Sequence, residues 1–282
     1  MTGFWEKNPE MASFKQWTID RLISSHVYNL ISGGVSNAHW LTWLFECYLQ
    51  NRKELKVLSI GCGVGDHEIA MSKFESIVHI DAFDGSKQSI QIACQKIDCE
   101  NSKINFYVDD FNTSIFSRNE YDVVIMSGSL HHVKELEHLL FQVIGCMKEE
   151  AVFVANEYCG ACYNIYDQEQ IDLVNDVLNN LPLECKYENS QLVNPTLLDV
   201  FKRDPSEAVR SKLIKDFIKI FFKSVDERPF GGYLLHPIYP FLKLDGGVDS
   251  IYNSLLISPL ISFDNFLRKS GKSDFSFFIC QK

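Results

Sequence analysis

The chain has 282 residues, 46% of them hydrophobic, and a formal net charge of −10. That length suits one large domain or a domain with an elaborated insertion. The acidic balance argues against a nucleic-acid binder and against docking on anionic membranes, and no apolar run is long enough to span a bilayer. The N-terminal "MTGFWEKNPEMASFKQW" lacks the uninterrupted apolar core of a signal peptide, so a cytoplasmic location is expected. Nine scattered cysteines, an odd number, do not suggest a disulfide framework. The C-x-x-C of Cys159 and Cys162 has no second half to complete a zinc site.

In chain order, residues 1–50 read as helical and aromatic. Within them "SGGVSNAHW" (32–40) reads as a turn between packing helices, whose glycines would also let it hinge as a lid, with His39 and Trp40 near the acceptor. From Lys56 onward, short apolar runs alternate with helical patterns. "KVLSI" (56–60) is a buried strand running into glycines, and "SIVHIDAF" (76–83) is a second. Ile90, Ala93, Cys94 and Ile97 then recur at helical spacing. "KINFYV" (103–108), "YDVVIMS" (121–127) and "AVFVANEY" (151–158) follow as strands. The last two are separated by a helical stripe of Leu136, Leu139, Leu140, Val143, Ile144 and Met147. "DPSEAVRSKLIKDF" reads as a helix start with Asp204 as N-cap, Pro205 in first position and Glu207 closing a capping box. "IKIFFKSV" (218–225) is expected as a sixth strand and "SDFSFFICQ" (273–281) as the last. Strands alternating with helices imply parallel pairing and a doubly wound sheet.

The turn after the first strand, "SIGCGVGDHEIA", carries Gly61, Gly63 and Gly65, which allow a tight turn and close backbone approach to a ligand. A dinucleotide fingerprint would place its third glycine at position 66, which is Asp66, and the Lys-Ser/Thr pair of a P-loop is missing. With these glycines the chain resembles the class I S-adenosylmethionine-dependent methyltransferases, whose first motif is E/D-x-G-x-G-x-G. It departs at the acid, which is Ser59 here, leaving that contact to Asp66 or to water. The resemblance implies an α/β, Rossmann-like, seven-stranded, mostly parallel sheet with helices on both faces and a helical cap, and S-adenosylmethionine as cofactor. In "DGSKQSIQIA" it implies Asp84 as the acid on the ribose hydroxyls, followed by Gly85 and Ser86, with Asp81 as competitor. In "VDDF" it implies Asp110 on the adenine amino group and Phe111 beside the ring, with Asp109 as a solvated turn acid. Ser127 and Leu130 of "SGSLHHV" complete the cofactor-binding set. The expected organisation is one globular domain. It comprises an N-terminal helical cap (1–54), a cofactor-binding core (55–158), a helical cap or insertion (159–217), and the rest of the sheet with a helical insertion (218–282).

"SGSLHHVKELEH" holds three histidines. His131 and His138 stand seven residues apart, about 10 Å along a helix, too far to share an ion, and no carboxylate cluster for a hard cation is evident. No metal is therefore expected. His131 and His132 follow a strand end, where open α/β sheets bind ligands, and one of them is expected to line the pocket while the other caps the next helix. Glu157, Tyr158 and His236 are further candidates for the base, with Glu157 alternatively paired to Arg210 or Arg228. Those arginines would otherwise hold an anionic group of the substrate. The four catalytic candidates are thus His131, His132, Glu157 and His236.

The leading expectation is methylation of a hydroxyl on a small molecule or glycan precursor. Motifs such as "NEYCGACYNIYDQEQ", "DPSEAVRS" and "ERPFGGYLLHP" resemble those of bacterial methyltransferases associated with cell-surface glycan synthesis. Two rivals stand beside it: a non-catalytic S-adenosylmethionine-binding partner or regulatory protein, and a nicotinamide-dependent oxidoreductase. No nucleic-acid partner and no membrane insertion are expected; the oligomeric state is left open.

Overall fold

The computed structural model describes residues 16–98, 102–244 and 251–282; residues 1–15 of the expected cap and Cys99 lie outside them. Seven strands form one sheet: β1 (Leu55–Ile60), β2 (Ile77–Asp84), β3 (Ile104–Val108), β4 (Tyr121–Ser127), β5 (Met147–Tyr158), β6 (Ser224–Gly231) and β7 (Phe275–Gln281). Their order is β3-β2-β1-β4-β5-β7-β6. The first five are parallel, and β7 runs antiparallel to both β5 and β6. This is the mostly parallel seven-stranded sheet expected from the alternation of runs.

The helices are α1 (Arg21–Ile31), α2 (Trp40–Trp43), α3 (Asp66–Met71), α4 (Lys87–Gln95) and α5 (Leu136–Cys146), then α6 (Gln168–Asn180), α7 (Leu197–Arg203), α8 (Ile214–Phe221), α9 (Leu235–Ile238) and α10 (Ile251–Lys269). They cover both faces of the sheet, which is why the central strands are apolar at successive positions. Val57, Val123, Ile125, Val152, Val154 and Phe277 point to one core with α1, α2, α6 and α10. Their neighbours Leu58, Ile60, Val124, Met126, Phe153 and Phe278 point to the other, with α5 and α8. The first core joins Trp17, Trp40 and Trp43 to Phe230 and Phe277, so residues from the cap and from the β7–β6 end of the sheet share one interior. No described helix is long and apolar enough to cross a membrane.

Two local expectations are corrected. Residues 214–221 form helix α8, and the strand begins only at Ser224. Ile214 and Ile218, buried, and Phe217 and Phe221, partly buried, recur at three- and four-residue spacing, which is a helical face. The more polar "SVDERPFG" can be a strand because β6 is an edge strand, where Pro229 costs no ladder bond. The second correction concerns Asp204, which follows α7 instead of opening a helix. The capping box is Thr196 with Asp199. The Asp204 carboxylate accepts from the Ser206 amide (2.9 Å) and hydroxyl (2.7 Å), and Ala208 sits at φ 49°. Tertiary contacts hold this turn, since the Val209 amide donates to the His131 carbonyl and the Tyr163 amide to that of Ala208.

Strand order reverses between β1 and β4, so their outgoing turns diverge and leave a crevice at the strand ends. The turns abut closely. The Ser129 hydroxyl donates to the Ile60 carbonyl at 2.8 Å, and a Cβ on Gly61 would lie 2.4 Å from that of Ser129. Gly65 has φ +80°, and an added Cβ would stand 2.6 Å from the Phe106 ring and 2.9 Å from Ala93. Gly65→Ala is therefore expected to cost about 2–4 kcal/mol from backbone strain plus overpacking. Urea unfolding measures this, and an unchanged midpoint would show that the loop has another low-energy path.

Candidate active site

The glycine loop lies against the end of β2. Gly61, Gly63 and Gly65 all have positive φ. One Asp84 oxygen accepts from the Gly63 amide (3.0 Å) and the other from the Ser86 amide (2.8 Å). Asp84 thus stands at the mouth of the loop. Asp81 lies inside the strand, engaged by Tyr121 (2.9 Å), Asn105 (2.8 Å) and His79 (3.1 Å). Gly85 passes beside the Asp109 carbonyl, and the Ser86 hydroxyl caps α4.

A buried carboxylate does lie beside Ser59. Asp66 is exposed and paired with Lys96 at 2.6 Å, so it does not reach Ser59. Glu68, on the inner face of α3, is 2% exposed and accepts from the Ser59 hydroxyl at 2.5 Å. Its second oxygen, Oε2, is buried without a hydrogen-bond partner. Burial pushes the Glu68 carboxyl up to about 7, with the Ser59 hydroxyl opposing and Asp66 and Asp84 reinforcing the shift. The sequence carried one signal for this residue: Glu68 shares a helix face with Met71, three residues on, and both are buried.

On the adenine side expected from the sequence, Asp110 is exposed, with Oδ1 accepting from the Asn112 amide and side chain at 2.9 Å. The Phe111 and Leu130 side chains are buried in the second core. The Ser127 hydroxyl lies 3.5 Å from the Asn156 amide nitrogen at the crevice edge.

Past β4 and β5, four separate motifs converge. Glu157 is 1% exposed, and its carboxylate accepts four bonds. Oε1 takes the Ser129 (2.6 Å) and Leu130 (2.8 Å) amides; Oε2 takes His131 Nδ1 (2.7 Å) and the Tyr158 amide (3.0 Å). It therefore positions His131 and has no capacity left to act as a base itself. Arg210 is held instead by Glu137 and Arg228 by Asp226, so neither arginine pairs with Glu157. Burial lowers the His131 imidazole, but Glu157 outweighs it and lifts the group to about 9.

The expectation that His131 and His132 diverge is corrected. Their ring centroids are 4.2 Å apart, because both lie in the tight turn Leu130–His132 and are drawn toward acids. His132 Nδ1 stands 3.1 Å from the Ser206 hydroxyl and 3.7 Å from Asp204. Burial, then the charge of His131, lowers the His132 imidazole. Glu207 accepts from the Asn164 side chain at 3.0 Å. Burial raises its carboxyl, but His131 and His132 more than offset that and hold it below its ordinary value. His236 stands 3.4 Å from the Tyr166 hydroxyl and packs on Tyr158 and Phe275; burial lowers it to about 4. His138 is half-buried, with Nε2 on the Ser114 carbonyl at 2.9 Å. His39 and Trp40 lie elsewhere, packed on His67 and on each other. Asn164, Asp204, Ser206 and Glu207 were not legible as site residues, since they come together only through the fold.

This crevice, with a glycine loop on one side and a carboxylate-anchored histidine on the other, is matched by a protein-family profile described as a methyltransferase domain, over residues 51–212. The chain belongs to the methyltransferase-domain family. With that membership the expected cofactor, S-adenosylmethionine, stands, and the structure fits it on two counts: an open glycine cradle and an orphaned buried carboxylate oxygen beside it. The methyltransferase is 27% identical over 105 residues to phosphoethanolamine N-methyltransferase 1 of Arabidopsis thaliana, covering 37% of this chain and 21% of the relative. It is 24% identical over 104 residues to the Triticum aestivum enzyme of that name, with the same coverages. The chain thus spans about a fifth of the length of these curated relatives. Among solved structures it is similar to Haemonchus contortus phosphoethanolamine N-methyltransferase 2 in complex with phosphomonomethylethanolamine and S-adenosylhomocysteine. That likeness has a TM-score of 0.49 at 15% identity, over 96% of this chain and 60% of the other. An S-adenosylmethionine-dependent methyltransferase from Mesorhizobium loti also gives 0.49, at 12% identity over 86% and 98%.

Proposed function

We propose that this protein transfers a methyl group from S-adenosylmethionine to a hydroxyl of a small molecule, a saccharide or glycan precursor being the class in view. The observation that carries this reading is the placement of the Glu157–His131 pair at the end of β4, across the crevice from the glycine loop. The cofactor's sulfonium supplies an activated methyl. The chain's own residues bind, align and exclude water. Asp84 takes the ribose hydroxyls, Glu68 Oε2 takes the cofactor's ammonium, and Asp110 stands on the adenine side. His131, oriented by Glu157, meets the acceptor, and His236 and Tyr158 wall the pocket.

The names of the curated relatives favour a second reading, methylation of an amine. A phosphorylated amine would call for a cation at its phosphate. Arg210 and Arg228, the cations expected for that task, are committed to Glu137 and Asp226 instead. That supports the hydroxyl reading over phosphoethanolamine itself.

The test is transfer of labelled methyl from S-adenosylmethionine into fractionated cell extract, with phosphoethanolamine assayed in parallel. Label in sugar nucleotides or glycan is expected. Label in phosphoethanolamine overturns the acceptor class. No label in any fraction despite measured cofactor binding favours the non-catalytic rival, and NADH binding would revive the oxidoreductase. In calorimetry, Asp84→Ala should weaken S-adenosylhomocysteine binding at least tenfold, the loss of one charge-assisted hydrogen-bonding group. Unchanged affinity would remove Asp84 from the ribose.

A further inference from the structure

We infer that His131, His132 and Glu207 form a binding site for a divalent transition-metal ion of the zinc, cobalt or iron class. One ligand atom from each residue lies within 4.8 Å of those of the other two. On an ion with bonds of about 2.1 Å, tetrahedral ligands stand about 3.4 Å apart, so side-chain shifts of about 1 Å complete the set.

The surroundings are those of ligating histidines. Such histidines donate one ring N–H to a carboxylate or equivalent acceptor, which fixes the tautomer and turns the other nitrogen to the metal. His131 Nδ1 is bonded to Glu157 Oε2 at 2.7 Å. His132 Nδ1 is bonded to Ser206 at 3.1 Å. The Ser206 hydroxyl spends its proton on Asp204 Oδ1 at 2.7 Å, so toward His132 it accepts. With an ion bound, each histidine would keep its Nδ1 proton on these acceptors and present Nε2 to the ion.

Asn164 supplies an independent indication. Its side-chain nitrogen donates to Glu207, while its amide oxygen is buried with no hydrogen-bond partner. Such an oxygen, on the amide that holds Glu207, would gain a partner from an ion-bound water in the site. A metal-free ion-pair network would satisfy the charges of Glu157 and Glu207 through His131 but would leave that oxygen orphaned. Two imidazoles and one carboxylate select transition metals; magnesium and calcium prefer all-oxygen sets. Some 75 residues separate His132 from Glu207, so ligand spacing along the chain could not disclose the site.

Ion binding stands on this geometry alone. Its use in catalysis rests on the acceptor-pocket reading above. The experiment is titration of the chelator-stripped full chain with Co²⁺, followed by visible absorption and by calorimetry. One ion per chain is expected, with the intense visible bands of a four- or five-coordinate site. Glu207→Gln and His132→Asn should each loosen it at least tenfold. Ser206→Ala, which keeps every ligand and removes only the His132 anchor, should loosen it about tenfold. Absence of saturable Co²⁺ binding overturns the inference, as does affinity unchanged in both ligand variants while circular dichroism shows them folded. S-adenosylhomocysteine binding to the stripped chain is measured alongside. If it persists where Co²⁺ fails to bind, the metal site falls and the methyltransferase reading stands; if it fails where Co²⁺ binds, the reverse holds.

Discussion

Glu68→Gln is expected to bind S-adenosylmethionine about tenfold to a hundredfold more weakly at pH 8, while its unliganded form becomes more heat-stable than the parent. The first effect follows from removing the acceptor proposed for the cofactor's ammonium, since a hydrogen bond to a charged group contributes about 1.5–3 kcal/mol. 5′-Methylthioadenosine, which lacks the amino-acid end, should bind both proteins alike. The second effect follows from burial. The folded-state value of Glu68, about 7, lies above its ordinary 4.5, so folding favours the protonated form. That stabilisation is complete below pH 4.5, fades as pH rises to 7, and above 7 the buried charge is a standing cost on the order of 3 kcal/mol. Glutamine removes the charge but leaves its amide where Oε2 lacked a partner, so the net gain should be about 1–2 kcal/mol at pH 8, vanishing near pH 5. Melting temperatures across that range, with calorimetry of the two ligands, check both effects. Equal loss of affinity for both ligands would mean that Glu68 only shapes the loop.

Glu157→Gln should lower kcat by about a hundredfold to a thousandfold, within the range for losing a positioned acid–base group. Glu157 touches no acceptor; it acts by holding the Ser129 and Leu130 amides and the His131 ring. The amide of glutamine would face one of these donors with a donor of its own, so His131 would lose its orientation. Because the two residues act as a unit, His131→Asn should cost about as much, and the double variant no more than either single one. Single-turnover rates make the comparison. Losses that multiply in the double variant would separate the residues, and a rate within threefold of the parent would take Glu157 out of the mechanism.

The readable part of the site lies where neighbours in sequence are neighbours in space. The glycine loop, Asp84 at the end of β2 and the His131–His132 turn after β4 all sit at strand ends, and the alternation of apolar runs with helical stripes placed those ends. The unreadable part needed contacts across the fold. Phe111 and Leu130 looked like ligand contacts because they follow the right strands, yet their side chains turn into the core. "DPSEAVRS" carries a sound local helix signal, which lost to the bonds tying Asp204, Ala208 and Val209 to the histidine turn and to Tyr163.

The sequence by itself determined the doubly wound sheet and its crevice, because strand periodicity and glycine spacing are short-range properties, and its motifs carried the resemblance to the methyltransferases. Only the tertiary structure decided that Glu68 is buried against Ser59, that Glu157 is fully occupied in orienting His131, and that Glu207, held by Asn164, comes beside two adjacent imidazoles. The physical reason is common to all three. A buried polar group must find its partner wherever the fold brings one, and that partner need not be near in the chain.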